Sequence, residues 1–200
     1  MPNATFFNLP SGKKEKLLNA LYQEFSTVPL TKASIANIIE YAEIPRGSFY
    51  QYFVDKEDAY FYVFNQQTSL AMEKFLYILK KNKGNLFNAC IEFYRILIEE
   101  KEHFTFFHHS LLHMDHRMED ALLSIFASDE HLYHFQRIAQ QIDFSSLKIE
   151  TDEELFPLMQ LISAVTIRNM INKFSKEISL EEALQKYESQ LQFVKHGVLK

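Results

Sequence analysis

The sequence contains little glycine, proline or cysteine. Four glycines and five prolines in 200 residues are too few for the many tight turns of an all-β protein. The single cysteine, Cys90, excludes an internal disulfide framework and a cysteine-based zinc site. No run of about eighteen apolar residues occurs, so we expect no transmembrane helix. The N-terminus lacks an apolar run with a cleavage site, so we expect no signal peptide. These absences predict an all-α protein of the cytoplasm.

Motifs that would indicate an enzyme are also missing. The chain has neither a glycine-rich phosphate loop nor a serine-nucleophile motif. Cys90 lies within the apolar stretch NLFNACIEFY, which favours a buried, inert thiol over a nucleophile. We therefore expect a protein that is not an enzyme and that carries no cofactor.

The sequence has no excess of positive charge. The net charge is −5, and residues 1–60 contain six Lys or Arg against seven Asp or Glu. A general polyanion-binding protein is usually basic. Any contact with nucleic acid must therefore be local and made by a few placed side chains.

Apolar residues recur at helical spacing along most of the chain, which predicts about nine helices. Ser34 or Thr31 can cap the second helix, and Asp55 with Asp58 can cap a long helix from about Lys56 to Lys81. The expected later helices cover about residues 86–100, 103–113, 117–127 and 129–142, and two more begin at the capping boxes Thr151–Glu154 and Ser179–Glu182.

The stretch PRGSFYQYF, residues 45–53, allows two interpretations. Its alternating aromatics suit a half-buried strand, but no partner strand is evident nearby. As a helix it places Phe49 and Phe53 four residues apart on an inward face. Arg, Ser, Tyr and Gln then face outward, and such side chains can contact base edges and phosphates. Three short helices ending here match a helix-turn-helix.

At these residues the chain resembles the tetracycline-repressor (TetR) family of bacterial transcriptional regulators. The resemblance extends from Lys14 to Val63 and is carried by Phe25, Ile38 and the signature AEIPRGSFYQYFVDKED. It implies a three-helix helix-turn-helix domain over residues 1–56 and a helical effector-binding and dimerisation domain over residues 57–200. Residues 85–200 show no recognisable family motif.

The resemblance also implies which residues contact double-stranded operator DNA. The positions that read bases are Pro45, Arg46, Gly47, Ser48 and Gln51, and those that touch phosphates are Ser34, Tyr50, Tyr52 and Lys56. One departure from the family pattern concerns the turn, where Glu43 replaces the usual glycine. We expect Glu43 to adopt the turn conformation at some energetic cost.

The C-terminal half is expected to bind a small apolar effector and to dimerise. Its many phenylalanines suit an apolar pocket, although such residues often serve as plain core. The predicted effector contacts are Tyr94, Phe107, His109, His113 and Thr166. The apolar stripes of the last two helices predict half of a four-helix bundle across a homodimer axis, or packing within one subunit.

The stretch HFTFFHHSLLHMDHRMED raises a metal-binding alternative. His109, His113 and His116 can share a helical face, and Glu119 or Asp120 can join them around a divalent ion. Histidines on an amphipathic helix equally line a pocket or the surface. We predict no metal site.

Together these features predict a DNA-binding transcriptional regulator. The resemblance implies a repressor released from a palindromic operator by its effector. The alternative is a DNA-binding adaptor or nucleoid-type protein without an effector response.

Overall fold

The computed structural model describes residues 2–100, 104–114, 117–118, 129–149, 151–176 and 178–198. Within these ranges the protein is all-α, with one short 3-10 helix at Phe144–Ser146. The ten α-helices are α1 (Ala4–Phe7), α2 (Ser11–Thr27), α3 (Ile35–Ala42), α4 (Arg46–Tyr52), α5 (Lys56–Lys81), α6 (Leu86–Glu99), α7 (Thr105–Leu112), α8 (Asp129–Ala139), α9 (Asp152–Lys176) and α10 (Leu180–Val198).

The chain divides into two compact units. One comprises Met1–Ser69 with Thr105–His113, and the other comprises Leu70–Phe104 with Met114–Lys200. The division therefore falls within α5, and the first unit contains α1 to α4, the N-terminal part of α5, and α7. The predicted boundary after residue 56 treats each domain as one continuous segment and stays a prediction.

Aromatic side chains form much of the core of the first unit. Phe25 on α2 meets Tyr60 on α5 edge to face, with ring centroids 5.1 Å apart. Phe106 on α7 contacts Tyr60 at 5.4 Å and Tyr22 at 6.1 Å. The Tyr60 hydroxyl also donates to Ser110 Oγ at 2.7 Å. These contacts join α7 to α2 and α5, although α7 lies far along the chain from α2.

The long helix α5 has the predicted bounds. The Asp58 backbone N–H donates to Asp55 Oδ1 at 2.8 Å, and the Val54 backbone N–H donates to Asp58 Oδ2 at 3.1 Å. These reciprocal bonds satisfy free N–H groups at the helix start. The helix ends before Gly84, whose φ of 81° is accessible to glycine. A Cβ there would lie 2.5 Å from the carbonyl oxygen of Gln141.

The second unit packs α10 against α6 and α9. Two predicted caps begin its last helices: Thr151 Oγ1 accepts from the Glu154 N–H at 3.2 Å, and Ser179 Oγ accepts from the Glu182 N–H at 3.1 Å. Cys90 is buried, as expected, and burial raises the pKa of its thiol to about 12. This thiol is not poised for nucleophilic chemistry.

Two sequence expectations need comment. The helix predicted over residues 117–127 falls almost wholly outside the described residues. The short helix α1 was not predicted. Phe6 within it is completely buried. Among the described helices, none is both long and apolar enough to span a membrane.

Candidate nucleic-acid interface

The stretch from Pro45 to Phe53 forms a helix, not a strand. Pro45 occupies the N-cap with φ −60° and ψ 146°, and α4 runs from Arg46 to Tyr52. Phe49 and Phe53 are both 0% exposed, with ring centroids 5.7 Å apart. The prediction that these two aromatics anchor the helix is confirmed. Because they fix the inner side of α4, its other side must face away from the core.

The turn between α3 and α4 comprises residues 43–45. Glu43 adopts the left-handed conformation, with φ 52° and ψ 46°, which is the turn conformation expected of it from the sequence. The Ile44 N–H donates to the Ile39 carbonyl at 3.0 Å, closing a Schellman-type end to α3. Lys16 Nζ lies 2.5 Å from Glu43 Oε2 in an exposed ion pair, which contributes little to stability. A left-handed non-glycine residue costs about 1–2 kcal/mol.

The outward face of α4 carries polar groups. Arg46, Tyr50 and Gln51 are exposed, and Ser48 is partly exposed. Within residues 2–100 the structure gives the Arg46 guanidinium no carboxylate partner. Tyr50 is 45% exposed, and its ring rests edge to face on Phe49 at 5.5 Å. This packing orients the hydroxyl of Tyr50 without engaging it. The surface therefore offers a guanidinium, an amide and hydroxyls from one short helix.

Gly47 lies on the exposed side of α4 in its first turn. A Cβ built at this position would meet no atom within 4 Å. The packing of the chain itself therefore does not require glycine here. The absence of a side chain instead lets an external surface approach the backbone of α4 closely.

Ser34 is held by a buried carboxylate. Its backbone N–H donates to Glu24 Oε1 at 2.7 Å, and Asn37 Nδ2 donates to Glu24 Oε2 at 3.1 Å. Glu24 is 3% exposed, so α2 and α3 share a charged contact in the core. Ser34 Oγ accepts the Ala36 N–H at 3.2 Å and caps α3, as predicted. Its hydroxyl proton stays available to a phosphate oxygen.

Lys56 has internal partners. Its ammonium donates to the carbonyls of Thr31 at 3.2 Å and Ala33 at 3.0 Å. The start of α5 is therefore attached to the segment that precedes α3. Its predicted phosphate contact stays a prediction, and an ammonium has a third proton to donate. Tyr52, another predicted phosphate contact, is partly exposed.

The sequence prediction missed the N-terminal segment. Asn3 Nδ2 donates to the Gln51 carbonyl at 3.2 Å, and the Asn3 backbone N–H donates to the Tyr52 carbonyl at 2.8 Å. The Thr5 hydroxyl also donates to the Gln51 carbonyl. Phe6 packs 5.1 Å from Phe53, ring to ring. The available signal in the sequence was Phe6, because a large aromatic side chain is usually buried; its neighbour Phe7 is 53% exposed.

Three predicted effector residues lie on or next to α7 in the first unit. Phe107 is buried, and its ring lies 5.9 Å from that of Phe64. The rings of His109 and His113 are 4.8 Å apart. Burial, followed by the charges of His113 and His108, lowers the pKa of His109. His109 therefore favours the neutral form, which can accept a hydrogen bond through one ring nitrogen.

The other two lie in the second unit, around a buried tyrosine. Tyr94 on α6 stacks on Tyr187 of α10, with ring centroids 4.1 Å apart. Thr166 Oγ1 on α9 lies 2.8 Å from the Tyr187 hydroxyl. Burial raises the pKa of Tyr94 to about 12. This core therefore contains neutral hydroxyl groups surrounded by apolar side chains.

The described part of the chain does not show a set of ligands that would support the metal-binding alternative. Within the ranges that are described, no group of three or more His, Cys, Asp or Glu residues could hold a metal ion. His116, Glu119 and Asp120, which the alternative requires, lie outside those ranges.

Comparison with known proteins gives one family. No curated protein matches the chain. A TetR transcriptional regulator from Rhodococcus sp. RHA1 has a TM-score of 0.56 at 14% identity, over 92% of this chain and 96% of that chain. The dihydroxyacetone kinase operon activator DhaS has a TM-score of 0.57 at 15% identity, over 94% and 98%. Likeness at these identities shows the fold alone.

The family model described as "Tetracyclin repressor-like, C-terminal domain" matches residues 85–198. This is the part of the chain in which the sequence showed no recognisable motif. The match complements the resemblance at the N-terminal helices, which rests on different residues. Because the matched segment is more than half of the 200 residues, the chain belongs to the tetracycline-repressor (TetR) family of transcriptional regulators.

Proposed function

We propose that this chain is a cytoplasmic, homodimeric repressor that binds a palindromic operator through α4 and is released by a small, largely apolar effector. The observation that supports DNA binding most strongly is the exposed polar face of α4 above the buried Phe49 and Phe53. A helix anchored in this way can enter a major groove without losing its own packing.

The side chains of α4 suit direct readout. The guanidinium of Arg46 can bond both acceptors of a guanine, and the amide of Gln51 can bond an adenine edge. Hydroxyls of Ser34, Tyr50 and Tyr52 can donate to phosphates and set the register of the protein on the duplex. Since residues 1–60 carry a small net negative charge, specific contacts must supply most of the affinity.

Selection of bound sequences from random DNA tests this proposal. We expect a palindrome whose half-sites are centred about 34–36 Å apart, as for other helix-turn-helix dimers. Arg46→Ala should weaken operator binding by about tenfold and relax the preference at one base pair. Arg95→Ala removes an exposed arginine from α6 and should leave binding unchanged. Equal binding by the parent and Arg46→Ala would exclude readout by this residue.

TetR-family regulators bind DNA as dimers, and the proposed dimer forms through α9 and α10. Both helices expose large apolar side chains: Leu161 on α9 is 51% exposed, and Phe193 on α10 is 77% exposed. Pro157, Leu161 and Ala164 follow one another at helical spacing on the exposed side of α9. Such a face is typical of a helix that packs against a second copy.

Charge reversal of the apolar face tests the dimer. Leu161→Glu and Phe193→Glu should shift the protein from dimer to monomer in sedimentation velocity, because each buries an unpaired charge in the interface. Tyr77→Glu is the matched control, since Tyr77 is 71% exposed but lies on α5. A dimer that survives both substitutions would place the interface elsewhere.

An effector must bind the DNA-incompetent state more tightly, because equal affinity for both states shifts nothing. Two elements support a response to such a ligand. α5 continues from the first unit into the second, and α7 packs within the first unit against α2, the helix that holds α3 through Glu24. Movement of either element would change how α3 and α4 are presented.

The predicted effector contacts remain Tyr94, Phe107, His109, His113 and Thr166. A panel of hydrophobic molecules that each carry one hydrogen-bonding group should contain members that raise the melting temperature and release labelled operator DNA. Tyr94→Phe should reduce both effects for a ligand that bonds its hydroxyl. If no member changes operator occupancy, the protein is better described as an adaptor or nucleoid-type binder; tighter binding with ligand would indicate a corepressor mechanism.

A further inference from the structure

The C-terminal end of α4 is bonded by a segment that lies more than forty residues away in sequence. The carbonyls of Gln51 and Tyr52 are in the last turn of α4, where helix carbonyls have no partner within the helix. Asn3 and Thr5 donate to the Gln51 carbonyl, and the Asn3 backbone N–H donates to the Tyr52 carbonyl at 2.8 Å. The segment therefore caps α4 from outside.

This N-terminal arm, defined as Pro2–Asn8, is itself fixed to the core. Phe6 is 0% exposed, and its ring lies 5.1 Å from Phe53 and 5.0 Å from Tyr62. Lys14 Nζ lies 4.9 Å from the centre of the same ring, in a cation–π contact. The arm is therefore held by α2, α4 and α5 at once.

The arm engages the backbone of Gln51 and leaves its side chain available. The Gln51 side chain is exposed, and within residues 2–100 its amide has no hydrogen-bond partner. α4 has only seven residues, and a helix of this length is held by tertiary contacts, since its own propensity is insufficient. The last turn carries Gln51, so whatever fixes that turn also fixes the position from which its side chain extends.

We infer that Asn3 and Thr5 are positioning residues for operator recognition: by capping the last turn of α4 they hold the Gln51 amide against its base. This inference rests on the proposed DNA binding. It predicts that the arm contributes to sequence discrimination at one part of each half-site.

The test uses the full chain with the double substitution Asn3→Ala and Thr5→Val, which removes both side-chain donors to the Gln51 carbonyl and leaves the buried Phe6 in place. Binding is measured to the selected operator, to operators altered at the base pair that Gln51→Ala ceases to discriminate, and to unrelated DNA. We expect discrimination at that base pair to fall by about fivefold or more, the effect of one amide–base contact, and binding to unrelated DNA to change by less than about twofold.

Two controls separate positioning from general stability. Thr5→Ser keeps a hydroxyl donor and should restore part of the discrimination when combined with Asn3→Ala. Asn8→Ala alters an exposed asparagine of the same arm that gives no bond to α4 and should have no effect. Amide hydrogen exchange without DNA should show faster exchange in α4 of the double variant, with α2 and α3 unchanged.

The outcomes are distinguishable. Unchanged discrimination in the double variant, or an equal loss on all DNA sequences, would overturn the inference while the proposed function stands. A parent protein that selects no sequence would overturn the proposed function, and the inference with it.

Discussion

Replacing Gly47 with alanine adds one carbon atom, and the effect of that atom on stability can be measured separately from its effect on DNA binding. The added Cβ meets no atom within 4 Å in the chain, and the backbone is already helical. Alanine is favoured over glycine by up to about 1 kcal/mol in a helix. At the second residue of α4 we expect about half of that gain in the free energy of unfolding, about 0.5 kcal/mol. For a chain of 200 residues this raises the melting temperature by about 1–2 °C.

The same Cβ should weaken operator binding. If DNA approaches the backbone of α4 at Gly47, a methyl group there must push the duplex away and lengthen the neighbouring contacts. A loss of about 1.4 kcal/mol corresponds to a tenfold increase in the dissociation constant. Fluorescence anisotropy with labelled operator measures the affinity, and differential scanning calorimetry measures the stability of the same sample.

The chain provides a matched control. Gly12 is the second residue of α2 and follows the N-cap Pro10, and a Cβ added to it would also meet no atom within 4 Å. Gly47 has the same place in α4 after Pro45. Gly12→Ala should stabilise the protein by a similar amount and leave operator affinity unchanged. Unchanged affinity in Gly47→Ala would refute the idea that glycine is there for close approach.

Three further outcomes follow from buried groups. Glu24→Ala should lower the free energy of unfolding by about 2–3 kcal/mol in urea titrations, because the N–H of Ser34 and the amide of Asn37 lose their acceptor. A change below about 0.5 kcal/mol would contradict this. Tyr187→Phe should cost about 1 kcal/mol in the same assay, since it loses only the bond to Thr166 and keeps the ring stack. Cys90 should react with a thiol reagent at pH 8 only in denaturant, because burial raises the pKa of its thiol to about 12. The thiol of the unfolded chain loses its proton at lower pH than that of the folded chain. The free energy of unfolding should therefore fall as the pH rises from about 9 towards 12.

Local signals in the sequence predicted the helices well. Ser34, Thr151 and Ser179 cap the helices that they were expected to cap, because a capping bond involves residues only two or three positions apart. The bounds of α5 follow from Asp55 at one end and Gly84 at the other for the same reason. Apolar stripes and helix caps depend on residues that lie a few positions apart, so they can be found from a single sequence.

Long-range contacts were harder to predict. α1 has four residues, too few for propensity or periodicity to show, and depends on the burial of Phe6 between distant aromatics. The bonds from Lys56 to the carbonyls of Thr31 and Ala33 join residues more than twenty positions apart. No local pattern encodes either contact.

For the candidate site, the sequence identified which residues of α4 face inward and which face outward, since this follows from helical spacing once Phe49 and Phe53 are assigned to the core. It did not identify Asn3 or Thr5, whose partners are backbone carbonyls that carry no residue-specific signal. Base contacts, effector contacts and the dimer surface stay predictions.

The inclusion of α7 in the first compact unit has a consequence for engineering. The helices proposed to bind DNA would lose part of their core if residues 1–69 were taken alone, because Tyr22, Tyr60 and Phe64 would lose the aromatic partner that Phe106 supplies. A chimera that keeps the N-terminal helices has to keep residues 105–113 with them. In this chain, the recognition specificity that we propose for α4 is therefore better changed by substitution on α4 than by cutting the chain at the end of the predicted helix-turn-helix.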